Sequence, residues 1–265
     1  MTRSALICIP IAILLVPSLV ALGGCAGTEN AAANPITDAE PAVVRSAECR
    51  WAANPIKIDG KLDDAAWQKA QILKDFAVYW QRRPARTATK ARLLWDNQYL
   101  YFSAEMQDSD LYADVKEHNG MIWSNDVFEL FFKPAQDQLA YYEFQVSAAN
   151  TQLELFFPSR GSGGYHRFAP LTKLGVESAV QLQGTLNNWR DKDIGWTVEG
   201  RIPLTGFEIS GSKPRAGAKW RFALCRYDYS AAFDRPELSS TAPLTQSDFH
   251  RYEDYGELVF VGPQE

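Results

Sequence analysis

One short segment, IWSNDVFELFF at residues 122–132, places an aromatic ring and two carboxylates at intervals of three residues. Trp123 is followed by Asp126 and then by Glu129. A tryptophan face can cover apolar C–H surface of a ligand, and carboxylates beside it accept hydrogen bonds from hydroxyl groups. A ring-shaped ligand rich in hydroxyls requires this combination, so Trp123, Asp126 and Glu129 are candidate binding residues.

Glu129 can be explained in two ways. Strand alternation puts it on the same face as Val127 and Phe131, and a carboxylate between apolar neighbours either pairs with a cation or faces a ligand cleft. The candidate cations are Arg92, Arg201 and Arg221. Trp123 precedes the strand in a loop rich in Gly, Asn and Ser, which favours an exposed rim position over a core position.

A second polar strand face follows in YYEFQVS, residues 141–147. Tyr141, Glu143 and Gln145 alternate there with apolar side chains, so they share one face of the strand. Beside Glu129, this face would form a groove that the glycine-rich loop at residues 158–168 could cover.

Short β-strands must position these residues. Eleven segments between residues 49 and 262 alternate with period two and are separated by Gly, Pro, Asn or Asp turns. The pattern predicts an all-β fold, an antiparallel β-sandwich of immunoglobulin or jelly-roll type with about eleven strands. One short N-terminal helix is predicted over Leu62–Ala70 and is expected to close one end of the sandwich.

The first 44 residues predict export and anchoring. Residues 1–24 have a positive start and an apolar run, and LGGC ends at Cys25, as in a bacterial lipoprotein signal peptide that leaves a lipidated cysteine. Residues 25–44 have the composition of a flexible tether, and residues 45–265 form the folded domain. The residue directly after Cys25 is Ala26, whereas lipoproteins retained at an inner membrane often have an aspartate at that position. We therefore expect a lipid-anchored cell-envelope protein at the outer membrane.

Charge and cysteine content limit the partners. The chain has 27 Lys and Arg against 32 Asp and Glu, a net charge of −5, and its basic residues are scattered, so we expect no nucleic-acid partner. Cys49 and Cys225 could form a disulfide or remain buried free thiols, and the sequence leaves both open. Carboxylates at loop ends could hold calcium, although a solvated acidic face is the commoner arrangement. These are Asp59, Asp63, Asp64, Asp108, Asp110 and Asp126.

Six segments, read in order, resemble carbohydrate-binding module family 9 and its relatives. They are IKIDGKLDDAAW (56–67), ARLLWDNQYLYFSAEMQD (91–108), IWSNDVFELFF (122–132), YYEFQVSAAN (141–150), GWTVEGRIPL (195–204) and the C-terminal WRFALCRYDY with FHRYEDYGELVF (220–260). The resemblance covers nearly the whole domain. It implies a non-catalytic β-sandwich that binds an oligosaccharide or polysaccharide.

The resemblance also implies roles for particular residues. Trp123 would be the stacking platform and Glu129 an acceptor for sugar hydroxyls, with Asp126, Gln145 and Asp228 completing the site. The family typically has an arginine at the position of Gln145. A second tryptophan of the family's site should fall near residues 237–243, where this chain has Ser239, Ser240 and Thr241. Relatives bind metal structurally, which is consistent with a structural calcium ion.

Two other functions are alternatives to sugar binding. Glu129, Glu143 and Asp126 could act as the paired carboxylates of a glycoside hydrolase, which a retaining mechanism places about 5 Å apart. A haem-binding relative of the same sandwich would need axial ligands. The candidates are Met106, Met121, His118 and His166.

Overall fold

Strands are the main regular elements of the structure, a computed structural model that describes residues 41–43, 45–211 and 213–263. The thirteen strands in the described part of the chain are β1 (Ser46–Trp51), β2 (Ala77–Val78), β3 (Arg83–Pro84), β4 (Thr89–Trp95), β5 (Tyr99–Gln107), β6 (Val127–Lys133), β7 (Tyr141–Ser147), β8 (Gln152–Phe157), β9 (Glu177–Gln183), β10 (Gly195–Pro203), β11 (Lys219–Asp228), β12 (Glu237–Ser240) and β13 (Gly256–Phe260). The predicted signal peptide, Cys25 and nearly all of the predicted tether lie outside the described residues.

The predicted all-β sandwich is confirmed, and each of the eleven predicted strand segments contains a strand. The two further strands are β3 and β12, which have two and four residues and lack the alternation of apolar and polar residues that reveals a strand in a sequence. A tight hairpin turn joins β4 and β5. Asp96 Oδ1 accepts the backbone N–H groups of Gln98 and Tyr99 at 2.7 and 2.8 Å.

The strands form two layers joined by β1. In the first sheet β8, β7, β6 and β11 are neighbours, and the other edge of β11 pairs with β13 in one half and with β12, followed by β2 and β3, in the other. The second sheet has the order β1, β4, β5, β10 and β9. β1 pairs with β13 through Ser46–Cys49 and with β4 through Arg50–Trp51, and both pairings are parallel, unlike the antiparallel pairs elsewhere among the named strands.

Two apolar layers cover the two faces of the first sheet. Phe128, Leu130 and Phe144 point toward the second sheet and pack in the main core with Phe102, as the alternation in β6 predicts for the first two. The opposite face has a second apolar cluster, which includes Val127, Phe131, Tyr141, Leu155 and Cys225. Loop residues from 165–169 and 242–255 pack over this outer face, so Glu129, Glu143 and Gln145 lie beneath a cover.

The predicted N-terminal helix is shorter than expected. Ala65–Lys69 form a 3-10 helix, and Leu62 has a φ of 59°, which lies outside the right-handed helical region. Trp67 packs with Leu94 and Tyr101, which lie on the outer face of the second sheet. The segment therefore covers a sheet face and does not close an end of the sandwich.

The other helical segments in the described part of the chain are short, with three to seven residues each. They are the 3-10 helices Tyr79–Gln81, Ile122–Ser124, Leu204–Ser210 and Tyr252–Asp254, and the α-helical turn Tyr165–Phe168. Among the described residues, no helix has both the length and the apolar character needed to cross a bilayer.

Cys49 and Cys225 are buried free thiols, which decides between the two arrangements that the sequence left open. Cys49 packs in the core between the sheets, whereas Cys225 packs on the outer face of the first sheet. β13 lies between their strands, β1 and β11, and Cys225 lies beyond the part of β11 that pairs with β13, so the two backbones are more than roughly 10 Å apart. That separation exceeds the ~7 Å limit for a disulfide.

Candidate ligand-binding site

A cavity of about 470 Å³ opens on the outer face of the first sheet, and we call it the central cavity. Glu129, Glu143 and Gln145 line it from neighbouring strands, together with Trp123 from the 3-10 helix that precedes β6. The cavity also has aromatic walls. These are Phe131, Tyr141, Phe157, Tyr165, Tyr227 and Phe249.

Strand register brings the polar side chains together. Glu129 on β6 pairs directly with Gln145 on β7, and Glu143 lies two residues from Gln145 on the same face. The Gln145 Nε2 amide donates to Glu129 Oε1 and to Glu143 Oε1, the latter at 2.5 Å. One amide therefore bridges two carboxyl groups.

Three buried oxygens of this group accept no hydrogen bond within the described part of the chain. They are Glu129 Oε2, Glu143 Oε2 and Gln145 Oε1. The residues that carry them are 2%, 4% and 2% exposed. Because buried polar atoms are normally satisfied, three unpaired acceptors beside one cavity indicate a place for a ligand's hydrogen-bond donors.

Burial raises the pKa of both carboxyl groups. It raises the pKa of Glu129 well above its ordinary value, and the negative charge of Glu143 adds to the effect. Burial also raises the pKa of Glu143, although the His250 charge and the Gln145 hydrogen bond oppose it. A protonated carboxyl group donates one hydrogen bond and accepts others. The pair can therefore both accept a hydrogen bond from a hydroxyl group and donate one to its oxygen.

Trp123 lies half-buried at the edge of the cavity. Its ring meets that of Tyr165 edge to face, with centroids 4.9 Å apart, and its carbonyl oxygen accepts the Tyr229 hydroxyl at 3.0 Å. Tyr165, Arg160, Gly161 and Gly164 belong to the loop predicted to cover the groove, and all four line the cavity.

No arginine among the residues that the structure describes pairs with Glu129. Arg92 pairs with Glu105 and Arg201 with Glu177, both at 2.7 Å, and Arg221 donates to the carbonyl oxygen of Tyr255 at 2.9 Å. The structural ion pair that the sequence left open is therefore not formed, and Glu129 faces the cavity.

Asp126 and Asp228 are not part of this group. Asp126 is an odd number of residues from Glu129, and Asp228 directly follows the cavity residue Tyr227, so strand alternation turns both away from the outer face. Asp126 accepts the backbone N–H groups of Tyr112 and Tyr229 at 2.7 and 2.6 Å. The structure thus brings together Trp123, Glu129 and Gln145, but not all five predicted residues.

Asp126 and Asp228 meet Asp108 in a separate buried cluster, where one oxygen of each lies within 4.8 Å of the others. Arg226 lies 3.0 Å from Asp108 and 3.5 Å from Asp228. Burial, followed by repulsion from Asp228, raises the pKa of Asp108 to about 7 despite Arg226. Ca²⁺ takes about six to eight oxygens and would need Arg226 to move, so structural calcium stays a prediction.

Two residues in and beside the cavity, His250 and Trp80, were not predicted from the sequence. His250 accepts or donates a hydrogen bond with the Tyr141 hydroxyl at 2.9 Å, and its Nε2 lies 3.9 Å from Glu143 Oε2. Trp80 packs against Phe249, with ring centroids 6.4 Å apart. The pairing of Ser240 with Ala77 brings Trp80 near the strand where the family's second tryptophan is missing. The FHRYEDY segment resembles the family and contains His250, so it could have indicated that residue. Nothing in the sequence indicated Trp80.

The candidate haem ligands are dispersed. Met106 is buried in the main core, Met121 is exposed, and His118 lies near Glu154, 3.5 Å away. None of them, nor His166, lines the central cavity.

Residues 58–263 match the family described as carbohydrate family 9 binding domain-like. Over 153 residues the chain is 31% identical to endo-1,4-beta-xylanase A of Thermotoga maritima, covering 54% of this chain and 13% of the xylanase. Over 130 residues it is 30% identical to exoglucanase XynX of Acetivibrio thermocellus, covering 46% of this chain and 11% of that enzyme. The chain thus matches only a small part of these curated relatives.

Solved structures share the fold. A carbohydrate binding module family 9 from Caldicellulosiruptor kristjanssonii in complex with cellotriose aligns with a TM-score of 0.58 and 17% identity, covering 83% of this chain and 95% of that one. The module from the same organism in complex with glucose gives 0.56 and 18%, covering 82% and 97%. The match over residues 58–263, with the sandwich fold, shows that the chain belongs to the carbohydrate family 9 binding domain-like family.

Proposed function

We propose that this domain binds carbohydrate in the central cavity. The observation that carries the proposal is the set of three buried, unpaired oxygens on Glu129, Glu143 and Gln145. Sugar hydroxyls would supply the donors that these oxygens lack, and Trp123 would cover a C–H face of the ring. Relatives of the same fold in complex with cellotriose and glucose support glucose-based oligosaccharides as the first ligands to test.

We further propose that binding is not coupled to hydrolysis. A glycosidase needs two carboxyl groups whose environments push their pKa values apart, so that one is an acid while the other is ionised. Here burial raises the pKa of both Glu129 and Glu143, and one amide bridges them. Neither group has the polar, solvated environment that keeps a nucleophile ionised.

Isothermal titration with glucose, cellotriose and xylotriose tests the proposal. We expect at least one oligosaccharide to bind with an affinity in the micromolar to millimolar range, as about 4 to 8 kcal/mol of binding free energy would give. Incubation with aryl glycosides should release no chromophore. Failure of every sugar to bind would contradict carbohydrate binding, and glycoside turnover lost in Glu129→Gln would contradict the non-catalytic assignment.

For the N-terminal region we propose lipid anchoring at Cys25, with the domain held in the cell envelope, at the outer membrane. Support comes from the sequence of residues 1–25 alone. In a bacterial host, labelling with a fatty acid should mark the wild-type protein and not Cys25→Ser, and the labelled protein should fractionate with outer membranes. Equal labelling of both proteins would contradict this proposal.

A further inference from the structure

A second cavity, of about 440 Å³, adjoins the central cavity, and Leu238 and Ser247 line both. Trp80 lines the second cavity and packs against Phe249, which lines the first. The two spaces therefore lie side by side, with aromatic residues in the lining of both. Because each has the volume of a typical small-molecule site, a ligand of more than one sugar could occupy both.

Three guanidinium groups line the second cavity, which we call the arginine pocket: Arg83, Arg86 and Arg235. Its one acidic lining residue is Glu237, whose side chain is 2% exposed and lies 2.6 Å from Arg83 and 3.4 Å from Arg86. Glu237 Oε2 accepts no hydrogen bond within the described residues, so its contact with Arg83 is an ion pair only. Arg83 donates its hydrogen bonds to Gln81 Oε1 and to the carbonyl oxygen of Pro84. The lining residues thus carry three positive charges against one negative charge.

Arg235 is the free cation of this pocket. Its side chain is exposed and makes no hydrogen bond, ion pair or ring contact with any residue that the structure describes. Arg86, by comparison, lies with its guanidinium carbon 4.6 Å from the Phe233 ring centroid and near Glu237. On a chain with a net charge of −5, this pocket is a local site for an anion.

We propose that the arginine pocket binds an anionic group carried by a sugar next to the one in the central cavity, so that the domain prefers acidic glycans. The inference rests on carbohydrate binding in the central cavity. Guanidinium groups recognise carboxylates and sulfates through paired, charge-assisted hydrogen bonds, and Trp80 gives the adjoining sugar an aromatic surface. The anionic group is a uronic acid carboxylate or a sulfate ester.

Three matched probes test this preference by titration: cellotriose, cellotriose oxidised at C6 to uronic acids, and cellotriose sulfated at C6. We expect at least one anionic probe to bind about tenfold or more tightly than cellotriose at low salt. High salt should weaken this preference because it screens exposed charges. A gain for the carboxylate alone or for the sulfate alone identifies the group that is recognised.

Arg235→Gln and Arg235→Glu should remove the preference for the anionic probes over cellotriose in steps. Arg215→Gln is the matched control, because Arg215 is exposed and lines neither cavity, so it should retain the wild-type preference. Equal affinity for cellotriose and both anionic probes, or a preference that survives Arg235→Glu, would overturn the inference and leave sugar binding standing. Absence of binding to all three probes would overturn both proposals.

Discussion

At the scale of single residues, one amide decides how the site is built. Gln145 stands where the family resemblance leads one to expect an arginine, and an arginine would have neutralised the two neighbouring carboxylates with a full positive charge. The neutral amide bridges Glu129 and Glu143 without adding a positive charge, and burial raises the pKa of both carboxyl groups. A raised pKa favours the protonated carboxyl group, which donates as well as accepts hydrogen bonds and so suits hydroxyl groups.

Trp123 should be the strongest single contributor to sugar affinity. In Trp123→Ala we expect a loss of about tenfold to one hundredfold, because a buried aromatic anchor typically contributes about 1.4 to 3 kcal/mol. Trp189→Ala is the matched control, since Trp189 is 62% exposed and lies outside the central cavity. Titration with the best-binding oligosaccharide compares the two, and equal affinities would contradict stacking on Trp123.

The free energy of unfolding should fall as pH rises above about 4.5. Burial raises the pKa of Glu129 in the folded state only, so the folded protein binds a proton that the unfolded chain has released. The stabilisation is complete below the unfolded-state pKa and is lost as pH rises through the folded-state pKa. Glu129→Gln, which has no proton to lose, should flatten this slope and be more stable than the wild type at pH 8 by about 1 kcal/mol or more.

Urea denaturation of both proteins at acidic and alkaline pH measures this difference. Glu117→Gln serves as the control, because Glu117 is exposed and its substitution should leave the slope unchanged. Parallel pH profiles for the wild type and Glu129→Gln would show that the Glu129 carboxyl ionises in the folded protein as it does in the unfolded chain.

At the scale of elements, one buried side chain on the second sheet helps to hold the segment between β1 and β2 in place. Glu199 of β10 is fully buried and accepts hydrogen bonds from Trp67 Nε1 at 2.7 Å and from the backbone N–H groups of Asp59 and Gly60 at 3.0 Å. Because Leu62 adopts a left-handed conformation, the segment cannot be stabilised as a regular helix, and Glu199 holds its two ends to the sheet.

Glu199→Ala should therefore destabilise the domain strongly. It leaves two buried N–H donors unpaired, on Trp67 and Gly60, and we expect a loss of about 2 to 6 kcal/mol in the free energy of unfolding. The control is Glu177→Gln on the neighbouring strand, whose side chain is 54% exposed and pairs with Arg201 at the surface. That change should cost about 0.5 kcal/mol or less. Chemical denaturation measures the free energy of unfolding of both variants. Similar losses in the two would contradict the role assigned to Glu199.

At the scale of the whole molecule, the first sheet has apolar residues on both faces, and this arrangement gives the domain two separate apolar layers. The main core holds the two sheets together, whereas the outer layer supports the loops around the central cavity. Cys49 belongs to the first layer and Cys225 to the second, so the sheet itself separates the thiols.

Reducing agent should leave the stability of the domain unchanged. A disulfide typically adds about 2 to 4 kcal/mol, and no such bond joins Cys49 to Cys225. The thermal unfolding midpoint should be the same with and without dithiothreitol, and the Cys49→Ala, Cys225→Ala double variant should show the same indifference. A midpoint that falls by several degrees on reduction of the wild type alone would show that the cysteines pair.

The sequence by itself determined the sandwich class, the positions of eleven of the thirteen described strands and the outward direction of Glu129 and Gln145, because alternation along a strand is a local property. It also indicated the family through segments that keep their order. Only the tertiary structure decided that Asp126 and Asp228 join Asp108 and Arg226 and not Glu129, because the partners of a residue depend on which strands become neighbours. The same long-range pairing put Trp80 beside Phe249, and no spacing within one segment records a contact between residues so far apart along the chain.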